Sequence, residues 1–234
     1  TAGFEASDAL PRLVSIKAGT KVNVVPGKAK AAVEGFEMAA LEKAAAETKE
    51  ETGISFEFAA EGTVTEITAT GIGAHASTPD VGNNALTGLL VFLGKLDFAS
   101  CPQVDMVRKT ASLFPHGDVN GKTLGVAMED ELSGNLTLSF NMLTVDAASM
   151  DGEFDGRIPV CGNDENVLEV VRARMAEQGL TLLNKALIPP HHVSADSYFV
   201  KTLLAAFELY TGRKGECQAL GGGTYVHHLE NGVA

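Results

Sequence analysis

His75 lies in the stretch GIGAHASTPD (71–80), flanked by small residues and bounded by Gly71 and Gly73. A histidine placed this way is either a turn residue or an N–H donor able to hold a developing oxyanion. The two glycines would let backbone approach a ligand closely. Asn23 stands among β-branched residues in VNVVPG (22–27). Its amide either closes its own turn at a strand end or holds a ligand carboxylate or carbonyl. Arg157, in EFDGRIPV (153–160), carries the planar fork that suits a carboxylate, and Asp155 offers it a plain ion pair instead. In LGGGTYVHH (220–228), Gly222, Gly223 and Thr224 open a helix start. Backbone N–H groups there suit an anion, although the same residues also make a tight strand-to-helix turn. The spacing is neither a Walker nor a Rossmann fingerprint.

The pairs His191-His192 and His227-His228 do not chelate as such, because neighbouring residues point in different directions on a helix or a strand. No H-E-x-x-H or C-x-x-C occurs, so no metal site is expected within this chain. The net charge of −12 argues against nucleic acid, which requires a basic surface. No apolar run is long enough to span a bilayer. The first residues lack the basic flank and apolar segment of a signal peptide. Cys101, Cys161 and Cys217 are odd in number and widely spaced, which favours a reducing cytoplasm over a disulfide framework. The start without Met and the stop after ENGVA read as the ends of a fragment.

These residues must be positioned by an alternation of short strands and helices. Strands are predicted over 11–19, 20–27, 54–62, 63–73, 134–146, 149–159 and 180–189. Helices are predicted over 37–53, 83–99, 104–114 and 165–179, while KAKAAVEGF fits either state. The order implies an α+β design: a mostly antiparallel sheet with helices on one face, in two halves of similar element order. After Pro189-Pro190 the pattern becomes a helix over 197–215, a short apolar strand and the glycine turn, which is a short α/β piece.

Taken together, NVVPGKAKAAVEG, GIGAHASTPDVGNNAL, FDGRIPV, PPHHVSADSYFVKTLLAAFELYTGRKG and LGGGTYVHHLENGVA form a recognisable series. In this order and spacing they resemble the bacterial Xaa-His dipeptidase branch of the co-catalytic zinc metallopeptidases, relatives of aminoacylase, peptidase T and glutamate carboxypeptidase. The family has a catalytic domain that binds two zinc ions and a lid inserted into it. The resemblance implies that residues 10–188 are the lid and 189–234 a fragment of the catalytic α/β domain. It also implies that the zinc ligands lie outside this chain. By the same resemblance, His75 binds the substrate carbonyl oxygen and stabilises the tetrahedral intermediate. Asn23 belongs to the substrate pocket, Arg157 grips the substrate's C-terminal carboxylate, and Gly222, Gly223 and Thr224 line that carboxylate pocket. Ile158 stands where the family often has a tyrosine, and Val226-His227 where the dipeptidases commonly have Gly-Arg.

Two functions follow as expectations. In the first, the chain is the substrate-binding lid of a zinc dipeptidase acting on short peptides in the cytoplasm, inactive alone, with His75 acting in cis. In the second, it is a non-catalytic α+β module for dimerisation or small-ligand binding, with a degenerate site. Self-association of the fragment is compatible with both.

Overall fold

A computed structural model describes residues 1–223 and 225–233, with the backbone alone for His227. The strands are β1 (Ala2–Gly3), β2 (Arg12–Ala18), β3 (Val24–Val25), β4 (Lys28–Glu34), β5 (Ser55–Glu61), β6 (Val64–Thr70), β7 (Ala74–His75), β8 (Glu129–Asp130), β9 (Gly134–Asn135), β10 (Thr137–Val145) and β11 (Ser149–Arg157). The α-helices are α1 (Met38–Thr52), α2 (Ala85–Gly94), α3 (Pro102–Leu113), α4 (Glu169–Glu177) and α5 (Tyr198–Thr211). Seven strands form one antiparallel sheet in the order β1-β11-β10-β2-β4-β6-β5. This is the α+β architecture read from the sequence.

The ambiguous segment KAKAAVEGF forms β4, because strands β2 and β6 pair with it on both sides. Ala29, Ala31 and Val33 then face the core, while Lys28 and Lys30 face out. Across the sheet they line up with Leu13, Ile16 and Ala18 on β2 and with Ile67 and Ala69 on β6, all buried. On the opposite face Lys30 pairs with Glu66 at 2.7 Å.

Helix α2 closes this face. Its sequence is apolar nearly all round, which is the pattern of a fully buried helix. It touches β4, β6 and β10 as well as α1 and α3. Asn84 caps it by accepting from the N–H groups of Leu86 and Thr87, and its own Nδ2 donates to the Phe140 carbonyl at 2.8 Å. Helix α1 ends at Gly53, whose φ of 73° makes the left-handed cap.

Two predicted strands do not form. Over 180–189, Thr181 exchanges one pair of backbone bonds with Thr1, and the ladder stops there. Arg172 takes the carbonyls of Leu182 and Asn184, and the Asp164 carboxylate takes the N–H of Leu187. The segment's polar backbone is thus satisfied by side chains instead of a neighbouring strand. Over 216–220 no strand of the described residues lies alongside, and most of the segment is exposed. The predicted helix over 165–179 begins as a π-helical turn at Asp164–Leu168, capped reciprocally by Asn163 and Asn166, before continuing as α4. Among the described residues, no helix is long and apolar enough to cross a membrane.

Candidate functional site

His75 is carried by a two-stranded ribbon. Strands β3 and β7 pair antiparallel, with Val24 opposite His75 and Val25 opposite Ala74. The Ala76 N–H extends this pairing by donating to the Asn23 carbonyl at 3.0 Å. Asn23 and His75 are therefore on adjoining positions of one small element, and both are exposed.

Ser77 sets the state of the His75 ring. Its backbone N–H donates to Nδ1 at 3.2 Å, and its hydroxyl lies 2.7 Å from the same nitrogen. A ring nitrogen that accepts from a backbone N–H carries no proton. The proton of the neutral ring is consequently on Nε2, where it is available as a donor. Sequence reasoning passed over Ser77. The signal was present, since a serine two residues after the histidine can bond back to it as a local side-chain turn.

Gly71 has a packing role. A side chain at Gly71 would collide with the Asn83 carbonyl oxygen, so its lack of a Cβ serves packing against the entrance to α2. The backbone bonds between Ile72 and Asn83 complete that closure.

Arg157 ends β11, with Thr137 of β10 directly opposite it. The Thr137 hydroxyl donates to the Ala76 carbonyl at 3.5 Å, next to His75. Arg157 thus reaches the ribbon through a single intervening residue. Its guanidinium is engaged by Asp155, with Nε to Oδ1 at 2.5 Å and Nη2 to Oδ2 at 2.8 Å. The ion pair considered from the sequence is formed. It occupies two of the five guanidinium donors, and the edge shared by Nη1 and Nη2 keeps donors for a second carboxylate.

The glycine turn reaches the same place. A Cβ on Gly221 would sit 3.4 Å from the Ser77 Cβ, in van der Waals contact. Gly222 and Gly223 follow, exposed and open on their side-chain sides. Thr224 lies outside the described residues. His191 Nε2 lies 2.7 Å from the Gly232 carbonyl oxygen, tying the segment after Pro190 to the turn after Leu229. Among the described residues, no three His, Cys, Asp or Glu side chains come together to hold a metal ion.

Behind the ribbon lies a cavity of about 270 Å³, lined in part by Val25, Pro79, Thr87, His116 and Ser139. His116 Nδ1 is 2.9 Å from the Thr87 hydroxyl. Burial pushes the His116 imidazole below its usual pKa, against smaller opposing pulls from the Thr52 carbonyl and Glu51. The unfolded chain therefore binds the proton more readily than the folded one below pH ~6.5. Stability is expected to be full above that pH and to fall as pH drops toward the depressed folded value. Chemical denaturation at a series of pH values checks this, with His116→Gln expected to flatten the slope between about pH 6.5 and the acid limit of the carboxylates.

No protein-family model matches the chain. Over 227 residues, 95% of its length, it is 34% identical to "Putative dipeptidase YtjP" of Bacillus subtilis (strain 168). Over 223 residues it is 30% identical to the Beta-Ala-Xaa dipeptidase of Lactobacillus delbrueckii subsp. lactis. The chain is similar to dipeptidases. In each case it spans 47% of the relative's length, so the chain covers about half of the curated proteins it matches. A third relative, "Putative dipeptidase SAUSA300_1697" of Staphylococcus aureus (strain USA300), is 26% identical over 225 residues. These names support the peptidase relationship that the motifs suggested.

Proposed function

We propose that this chain is the substrate-holding part of a dipeptidase, with residues 10–188 as the lid and 189–234 belonging to the catalytic domain. The observation that carries the proposal is the meeting of four elements. The β3–β7 ribbon brings Asn23 and His75 together, Thr137 links them to Arg157, and Gly221 lies beside Ser77, the residue bonded to His75. A peptide placed there finds an imidazole donor, an amide, a guanidinium edge and a glycine turn.

Each group has a role in this reading. The Nε2 proton of His75 donates to the scissile carbonyl oxygen as it gains negative charge, an interaction that strengthens on the way to the tetrahedral intermediate. Arg157, steadied by Asp155, takes the C-terminal carboxylate of a short peptide. Asn23 and the backbone of Gly222 and Gly223 complete the pocket. In this reading His75 acts in cis, toward the same chain's glycine turn, with Gly221 beside Ser77. The free thiols of Cys101, Cys161 and Cys217 accord with a cytoplasmic setting.

The described residues do not fit a zinc centre, and no step of this reading runs through one. The zinc implied by the family resemblance is assigned to the part of the full-length protein outside this chain. Comparison of the two proteins tests this. After dialysis against zinc, the 234-residue chain is expected to retain far less than one ion and to leave dipeptides intact. The full-length protein is expected to bind zinc and cleave them. Stoichiometric zinc on the short chain, together with peptidase activity, would overturn the assignment.

A further inference from the structure

Strand β10 contains a bulge. In its pairing with β11, Phe140 faces Phe154 and Met142 faces Glu153, which leaves Asn141 as the extra residue. The bulge restores the register of the apolar side chains, so that Leu138, Phe140, Leu143 and Val145 are all buried. Asn141 and Ser139 are buried as well, although both are polar.

The Asn141 amide holds the ribbon. Its Nδ2 donates to the Val22 carbonyl at 2.6 Å and to the Ser139 hydroxyl at 2.9 Å. Val22 immediately precedes Asn23, whose carbonyl in turn accepts the Ala76 N–H beside His75. The start of this connection is seated on the same bulge: Gly19 has a φ of 79°, and a side chain there would collide with the Asn141 carbonyl oxygen. Strand β10 therefore meets the ribbon's connection at Gly19 and Val22, and the ribbon's far strand through Thr137 and Ala76.

An asparagine here brings the fold a cost beside the two hydrogen bonds of its Nδ2. Asn141 is fully buried, and its Oδ1 has no hydrogen-bond partner among the described residues. An unpaired buried carbonyl is destabilising, whereas an apolar residue of similar size carries no such atom. The groups it serves are the Ser139 hydroxyl within β10 and the Val22 carbonyl of the connection that leads into the ribbon.

We propose that Asn141 is a positioning residue that fixes the β3–β7 ribbon, and through it the relative placement of Asn23 and His75. This rests on the site reading given under Proposed function. Two measurements test it. In the 234-residue chain, Asn141→Leu is expected to speed hydrogen exchange of the Ala76 amide by ~10-fold or more, with the Ile67 amide of the central sheet unchanged. In the full-length protein the same change is expected to lower kcat by ~10-fold or more with KM nearly constant, since small displacements of a catalytic group are costly. In a His75→Ala background it should cost less than about twofold, because the two residues act as one unit. Asn141→Ala serves where leucine prevents folding.

An Ala76 amide that exchanges as slowly in the folded variant as in the parent would overturn the proposal. So would an equal loss of kcat with and without His75, which marks a general effect on the fold. If His75→Ala alone leaves kcat intact, the site reading fails, and the exchange experiment still decides whether Asn141 holds the ribbon.

Discussion

Replacing His75 by alanine in the full-length protein is expected to lower kcat by about 100- to 1000-fold, the usual effect of removing one oxyanion donor. KM should change little, because the bond strengthens only as charge develops on the carbonyl oxygen. The structure supplies the reason for so large an effect. Ser77 occupies Nδ1 from two directions, so the ring is held in one tautomer with its donor on Nε2. The donor is therefore set before substrate arrives, and little reorganisation remains to be made during reaction. His75 is exposed and belongs to no part of the core, so thermal unfolding of the variant should match the parent. A steady-state comparison, paired with a melting curve, decides the matter. A variant with normal kcat, or with a raised KM alone, contradicts the assigned role.

Arg157→Lys is expected to act on the other constant. A charge-assisted bidentate contact contributes roughly 1.5–3 kcal/mol, so its loss should raise KM by about 10- to 100-fold. Lysine keeps the charge but lacks the fork, and it cannot hold Asp155 and a substrate carboxylate in the same planar arrangement. In the proposed role the carboxylate would be gripped equally in ground and transition states, so kcat should stay nearly constant. A peptide amide supplies the control. Lacking the carboxylate, it should bind the parent and the variant alike. If the variant discriminates against both substrates equally, Arg157 serves the fold through Asp155 and does not hold the substrate.

The sequence made the architecture legible where alternation was clean. β5, β6 and the long pair β10 and β11 follow directly from period-two patterning, and α2 from its apolar run, whereas β4 was settled by its two neighbours. Reading failed where side chains replaced a ladder, as Arg172 and Asp164 do between Leu182 and Leu187. The candidate site residues were legible one at a time, and the contacts between the elements that carry them were not. Nothing in the spacing of Arg157 and His75 shows that Thr137 stands between them, because that is a matter of register. Asn141 left a trace in LSFNML, where a polar residue interrupts buried neighbours. A single extra residue shifts the alternation there, and the local pattern does not reveal which side it turns toward.

Helix α2 has a consequence for how the molecule comes apart. It lies against β4 and β6 on one side of the sheet's midline and against β10 on the other. Leu86, Leu89 and Phe92 are fully buried in that shared interior. Neither half can open without exposing the same helix, so the sheet and its helices form one cooperative unit. Helix α5 is outside that unit, with Val200 as its buried residue and Tyr198, Leu209 and Tyr210 largely exposed. Arg157 ends a strand of that cooperative unit, whereas Asn23 and His75 sit on the separate β3–β7 ribbon, and the glycine turn beside Ser77 follows α5.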